Sequence, residues 1–89
     1  MAEVMLTERF VKDASQIWSD RVLDRVRRAV ALLEAFPEIG SPDVPLSVQR
    51  EFGSAVRKYV IVPFDLVYEY DEGTDVVIVH GLVPCAHAS

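Results

Sequence analysis

The chain has 89 residues, 51% of them hydrophobic, and carries a formal net charge of −5. This length predicts one domain over residues 1–89 with a single modest core, and the apolar content excludes a disordered chain. The absence of a run of 18 apolar residues excludes a transmembrane helix, and the first residues lack the basic and apolar parts of a signal peptide. Because Cys85 is the only cysteine, no intrachain disulfide can form, and we expect a reducing, cytoplasmic setting.

The charge is distributed unevenly along the chain. Residues 1–58 contain all nine lysines and arginines and an equal number of acids, whereas residues 59–89 contain five acids and no lysine or arginine. A strong nucleic-acid binder usually presents a basic face. Any basic surface must therefore come from the first half of the chain, including Arg50, Arg57 and Lys58.

The first half predicts a short strand and two amphipathic helices. Residues 4–6 form an apolar strand, and Thr7 is a suitable N-cap for the helix that follows. Ser19 and Asp20 interrupt the helical pattern and predict the start of a second helix, which Pro37 ends at about Phe36. Val11 and Ala14 fall on the apolar face of the first helix. The residues of the two helices expected to be buried against a sheet are Phe10, Ile17, Trp18, Leu23, Val26, Val30 and Leu33.

The middle of the chain is dominated by turn-forming residues. Residues 37–45 contain three prolines, which exclude both a helix and a central strand there. Residues 49–52 are interpreted as a brief edge strand.

The second half predicts three strands, at residues 56–62, 64–70 and 75–83, because β-branched and aromatic residues dominate it. A type I turn with Pro63 at its second position is expected to join the first two strands. The last strand is apolar on both faces, which predicts a central position in the sheet. The predicted fold class is α+β: an N-terminal strand, a two-helix hairpin, and a three-stranded antiparallel meander completing one small sheet. We expect any functional site on the sheet face that the hairpin leaves free.

Several segments together resemble a known family, the RelE/ParE-like toxins of bacterial type II toxin–antitoxin systems. The resemblance covers nearly the whole chain and includes Ala14 and Trp18 in the hairpin. Its most specific parts are the P-x-x-G element within residues 36–42 (FPEIGSP) and the L-V-Y-x-Y ending of residues 64–70 (FDLVYEY), with residues 56–59 (VRKY) between them.

The resemblance implies a small cytoplasmic toxin of the plasmid-stabilisation kind, neutralised by a cognate antitoxin. RelE-like members cleave messenger RNA in the ribosome, whereas ParE-like members lack the basic catalytic set and poison DNA gyrase. Arg57 matches a basic position of the RelE-like pattern. Tyr59 and Asp65 stand where further basic residues are expected, and residues 83–86 (VPCA) replace the usual H-x-x-R or R-R element. Because phosphodiester cleavage needs cations to stabilise transition-state charge, these departures favour the ParE-like side.

The candidate site residues follow from this comparison and from charge. Arg57 and His80 are the catalytic candidates, although His80 also fits a strand histidine bonded to a neighbour. No cofactor is expected, and the spacing of Cys85 and the two histidines, His80 and His87, matches no zinc pattern. The residues expected to bind the target are Arg50, Arg57, Lys58 and Tyr59, and those expected to bind an antitoxin are Arg21, Arg25 and Arg28.

Three functions remain open at this point. The first is a toxin that acts by binding gyrase, the second is a ribosome-dependent endoribonuclease, and the third is a decayed, non-toxic module that still binds an antitoxin. The shortage of basic residues favours the first and the third. A homodimer is left open.

Overall fold

The computed structural model describes residues 1–85, and its four strands form one sheet. The strands are β1 (Glu3–Leu6), β2 (Arg57–Ile61), β3 (Phe64–Asp71) and β4 (Val76–Pro84), in the order β1-β4-β3-β2. The β2-β3-β4 meander is antiparallel, as predicted, while β1 pairs with β4 in parallel, which makes the sheet mixed. The central position of β4 is confirmed, since it lies between β1 and β3.

Two helices follow β1, and both begin where the sequence predicts. Helix α1 spans Glu8–Ser15 and helix α2 spans Asp20–Ala35. The hydroxyl oxygens of Thr7 and Ser19 each accept a hydrogen bond from the backbone N–H three residues on, which satisfies a free donor at each helix start. Phe36 is the C-cap of α2, directly before Pro37. Within residues 1–85, neither these helices nor any other is long and apolar enough to cross a bilayer.

The main hydrophobic core lies between the two helices and one face of the sheet, here called the helix face. Most of its members come from α1, α2, β3 and β4 and are almost completely buried, so the predicted packing of the hairpin on the sheet is confirmed. The buried residues of this core are Ala2, Phe10, Val26, Ala29, Leu33, Ile61, Leu66, Tyr68, Val77, Val79 and Leu82.

The predicted burial of Trp18 is wrong, because its side chain is 95% exposed. Helix α1 ends at Ser15, so Trp18 lies in the link to α2 and no longer follows the helical periodicity that relates it to Phe10. Val11 is also exposed, whereas Ile17 packs at the edge of the core.

The predicted edge strand at residues 49–52 is also wrong, because Leu46–Phe52 forms a third helix, α3. In a helix, Val48 and Phe52 fall on the same side. Both pack against a second, smaller cluster of Val44, Val56 and Val67. This cluster lies on the opposite side of the sheet from the main core, here called the α3 face, so that face is partly covered.

The link between β2 and β3 differs from the predicted turn. Strand β2 ends at Ile61 and β3 begins at Phe64, so Pro63 occupies the third position of the turn and not the second. The Val62–Pro63 peptide bond is cis, the form found in type VI turns.

Candidate functional site

Arg57 holds the loop that follows α2. Its Nη1 atom donates hydrogen bonds to the carbonyl oxygens of Gly40 at 2.7 Å and Glu38 at 3.2 Å. The Gly40 N–H donates in turn to the hydroxyl of Tyr68 at 2.8 Å, inside the core. A Cβ atom on residue 40 would lie 2.6 Å from that hydroxyl oxygen, so the close approach requires glycine. The P-x-x-G element and the strand tyrosine therefore form one structural unit with Arg57.

The two catalytic candidates, Arg57 and His80, do not come together in the structure. Arg57 pairs across the ladder with Tyr68, whose side chain is in the core on the helix face. The His80 ring instead lies on the α3 face, with its centroid 5.9 Å from that of Phe52.

His80 occupies a β-bulge. Val67 pairs with Gly81 while Tyr68 pairs with Val79, which leaves His80 as an extra residue of β4. Two side chains at α1 hold the backbone there: the Thr7 hydroxyl contacts the carbonyl oxygens of Val79 and His80 at 3.0 and 3.1 Å, and an Asp13 oxygen accepts from the Leu82 N–H at 3.0 Å. The contacts with α1 thus hold the backbone of the bulge, and His80, the residue after Val79 of the main core, points to the α3 face.

The charged groups beside His80 are paired with one another. The Nε2 atom of His80 lies 3.3 Å from Oε1 of Glu69. Arg9 crosses the Phe52 ring at 5.2 Å and donates to Asp13 at 3.0 Å, with Glu51 at 3.4 Å. The hydrogen bond to Asp13 raises the pKa of Arg9. The arginine beside the bulge is therefore already neutralised by two carboxylates.

Asp65 lies on the same face, two residues before Val67, and is only 2% exposed. The Cys85 thiol lies 3.6 Å from its Oδ1 atom. Burial raises the pKa of Cys85, and the charge and hydrogen bond of Asp65 act in the same direction. Cys85 is therefore a protonated, unreactive thiol near neutral pH.

A groove of about 510 Å³ lies between α2 and β2, on the side of the sheet where β2 is the edge strand. Arg25 and Arg28 line it from α2, together with the apolar side chains of Ala29 and Leu32. Residues 59–62 form the opposite wall. Two of the three arginines expected to bind an antitoxin are therefore brought together beside an open sheet edge.

The amino-acid sequence matches one family model, described as the ParE toxin of the type II toxin–antitoxin system parDE, over residues 4–80. This chain belongs to the ParE toxin family. The resemblance found in the sequence is thereby confirmed at family level. No curated protein matches the chain in a sequence search.

Two solved structures have a fold similar to that of this ParE-family chain. One is in the RelBE2 toxin–antitoxin complex of Mycobacterium tuberculosis, with a TM-score of 0.75 and 16% identity, covering 93% of this chain and 96% of that one. The other is in the intact RelBE toxin–antitoxin complex of E. coli, with a TM-score of 0.71 and 16% identity, covering 96% and 98%. At this identity the likeness establishes the shared fold.

The remaining site residues predicted for this ParE-family chain are dispersed. Lys58 pairs with Val67 on the α3 face, while Tyr59 packs at the edge of the main core. Arg50 lies exposed on α3, and Arg21 lies on α2 outside the residues that line the groove. Residues 1–85 contain no cluster of histidine, cysteine or acidic side chains suited to a metal ion. His87 and Ala86 lie outside the described residues.

Sequence reasoning missed the partners of His80, namely Glu69 and Phe52, and the α1 pair Arg9–Asp13 that lies over Phe52 and binds the Leu82 N–H. The four-residue spacing of Arg9 and Asp13 is a visible signal for an ion pair on one side of a helix. Nothing in the sequence indicates that this pair reaches β4, because the contact depends on the bulge.

Proposed function

We propose that this chain is a cytoplasmic bacterial toxin that a cognate antitoxin neutralises, and that it poisons DNA gyrase by binding, without breaking phosphodiester bonds. Membership of the ParE toxin family supports the toxin class. Both similar folds come from complexes with an antitoxin, which supports a protein partner for this chain as well.

The observation that favours binding over cleavage is the pairing of charges on the α3 face. A nuclease needs cations free to stabilise the charge that develops on the phosphate. Arg9 is bound by Asp13 and Glu51, and Arg57 is committed to loop carbonyls elsewhere. Buried Asp65 adds a carboxylate to the same face, which would repel a phosphate.

One observation favours the alternative, a ribosome-dependent endoribonuclease. His80 on its bulge is paired with Glu69, an arrangement in which a carboxylate orients an imidazole for proton transfer. Lys58 lies on the same face of the sheet. Its role in binding a phosphate stays a prediction.

The two functions separate in a pair of assays on the purified chain. In the first, plasmid supercoiling by DNA gyrase and ATP is followed with and without the chain; in the second, messenger RNA on ribosomes is mapped for cuts. We expect inhibition of supercoiling and no RNA cleavage.

The His80→Asn variant serves as the chemical control, since asparagine is polar and similar in length but cannot act as a base at neutral pH. We expect it to inhibit gyrase as well as the unaltered chain does. Codon-positioned RNA cleavage that His80→Asn abolishes would replace this proposal with the nuclease. Inactivity in both assays would favour the decayed antitoxin-binding module.

A further inference from the structure

One loop of the molecule is held firmly by hydrogen bonds and yet exposes two large apolar side chains. We propose that this loop, residues 36–39 and here called the anchor loop, docks on the target of the chain, and that the target meets it with an apolar pocket surrounded by lysine and arginine side chains. The inference rests on the proposed function, which supplies DNA gyrase as the target.

The first argument is the exposure of the anchor loop. Phe36 is 59% exposed and Ile39 is 47% exposed. Together with Ala35 and Pro37 they line a groove of about 400 Å³ at the C-terminal end of α2. Aromatic side chains are enriched at protein interfaces, because each buries a large apolar area. The groove therefore has the character of a protein-binding surface.

The second argument is that the anchor loop is pre-organised. The Phe36 N–H donates to the carbonyl oxygen of Leu32 at 2.8 Å, and the Ile39 N–H donates to that of Phe36 at 3.1 Å. Arg57 holds the next part of the chain from β2, through two carbonyl oxygens. A surface whose backbone is already fixed loses little conformational freedom on binding, so more of the apolar contact energy contributes to affinity.

The third argument is the charge around the anchor loop. Backbone hydrogen bonds join three segments at this end of the molecule: the Ala2 N–H donates to Glu34 at the end of α2, and the Glu3 N–H donates to Asp75 in the β3–β4 hairpin. No lysine or arginine lies within residues 1–7, 34–40 or 70–76. The acidic side chains of these three segments, here called the acidic end, are Glu3, Glu34, Glu38, Asp71, Glu72 and Asp75.

The pKa of Tyr70 indicates that these charges lie close together. The hydrogen bond from the Tyr70 hydroxyl to Asp75, at 2.7 Å, is the main cause that raises this pKa to about 12, and desolvation and the charges of Asp75, Glu72 and Glu38 add to it. Glu38 belongs to the anchor loop, whereas Glu72 and Asp75 belong to the hairpin. The anchor loop and the acidic hairpin therefore form one surface.

The charge of this surface decides the chemistry of its partner. The carboxylates repel a nucleic acid, whereas lysine and arginine side chains around an apolar pocket complement them. An enzyme that holds DNA carries such cations, since it has to neutralise phosphates. The arginines expected to bind an antitoxin, Arg21, Arg25 and Arg28, lie earlier on α2 and have the opposite charge. The acidic end therefore fits the target and not the antitoxin.

The test measures the dissociation constant of the purified chain for purified gyrase from the same bacterium, by biolayer interferometry. Phe36→Ala should weaken binding roughly 30-fold, because it removes the side chain that fills the pocket. Leu46→Ala is the matched control, since Leu46 is 60% exposed on α3, outside the acidic end, and this variant should bind nearly as well as the unaltered chain. Neither substitution alters a buried side chain, and circular dichroism checks that both variants fold.

A second pair of variants tests the charge. Glu38→Lys and Asp43→Lys make the same change five positions apart, both at exposed residues, and only Glu38 lies in the anchor loop. Glu38→Lys should weaken binding to gyrase roughly 30-fold at low salt, because it turns one attraction at ~4 Å into a repulsion. This loss should shrink at high salt because of screening, whereas the loss for Phe36→Ala should persist. Asp43→Lys should bind nearly as well as the unaltered chain.

The outcomes separate this inference from the proposed function. If gyrase binds the chain but Phe36→Ala binds as well as Leu46→Ala, or Glu38→Lys as well as Asp43→Lys, another surface meets the target, and the inference fails while the proposed function stands. If Phe36→Ala and Glu38→Lys weaken only the binding of the protein encoded next to the gene of this chain, the acidic end is an antitoxin surface and the inference also fails. If gyrase does not bind the chain at all, the proposed function fails and the inference fails with it.

Discussion

The contact between Gly40 and Tyr68 predicts that Gly40→Ala destabilises the fold strongly. The φ angle of Gly40 is not positive, so its backbone conformation accepts alanine, and the entropy effect alone would stabilise the chain by about 0.4–1 kcal/mol. The space around residue 40, however, is too small for the Cβ atom of an alanine. A Cβ atom would lie 2.6 Å from the hydroxyl oxygen and 2.7 Å from Cε1 of Tyr68, and 2.8 Å from the carbonyl oxygen of Lys58.

The magnitude follows from what has to move. Tyr68 is completely buried and cannot swing into solvent, and overpacking of this kind costs about 1–3 kcal/mol. Displacing its hydroxyl also leaves the buried N–H of residue 40 without an acceptor, which costs about 1–3 kcal/mol more. After the entropy gain, the two costs leave an expected loss of about 1–5 kcal/mol, with a midpoint near ~3 kcal/mol. For a domain of this size a loss of ~3 kcal/mol lowers the Tm by roughly 12–24 °C.

Thermal unfolding followed by circular dichroism measures the effect, with Gly73→Ala as the matched control. The nearest heavy atom to a Cβ at Gly73 is Asp71 Oδ1 at 3.4 Å, so that substitution should change stability by less than about 0.5 kcal/mol. In a Tyr68→Phe background the Gly40→Ala penalty should decrease without vanishing, because Cε1 and the Lys58 carbonyl remain in place. Equal stability of the two alanine variants would refute this account of the P-x-x-G element.

Two further predictions concern polar contacts. Arg57→Ala should lower the free energy of unfolding by about 1–3 kcal/mol in denaturant titrations, because it removes the charged donor to two loop carbonyls. Arg27→Ala, at an exposed residue, should leave the free energy of unfolding nearly unchanged. Equal effects of the two substitutions would contradict the role of Arg57 in holding the loop after α2. The hydrogen bond to Asp75 raises the pKa of Tyr70 to about 12, so the neutral phenol is favoured in the folded state. This contribution to stability is fully present below pH ~10, the pKa of an unfolded tyrosine, and is lost as the pH rises from there through the folded-state pKa of about 12. Asp75→Asn should return the pKa toward ~10 in a tyrosinate absorbance titration, and an unchanged titration would show that the bond does not control this tyrosine.

Local signals predicted the secondary structure well wherever a single residue type decides the outcome. Thr7 and Ser19 cap the helices at the expected positions, and Pro37 ends α2. The strands at residues 56–83 followed from β-branched and aromatic content. The segment at residues 49–52 was misread because four residues are too few to distinguish the period of a strand from that of a helix.

The candidate site was much less accessible to prediction. Arg57 and His80 are each recognisable as polar residues on strands, yet they lie on opposite faces of the sheet. Arg57 is level with Tyr68 and Val79 of the main core, and His80 is the residue after Val79, so the strand register separates them. The exposed position of Trp18 likewise depends on α1 ending at Ser15, three residues short of the periodic pattern.

The sequence by itself determined the family, the order of the elements other than α3, and the main core apart from Trp18, because caps, prolines and apolar periodicity act over a few neighbouring residues. The tertiary structure alone decided that Arg57 supports a loop, that Arg9 is neutralised beside His80, and that Arg25 lines a groove at an open strand edge. These outcomes join residues 17 to 42 positions apart in the chain or depend on strand register, and register is fixed only when the helices, the bulge and the sheet pack together.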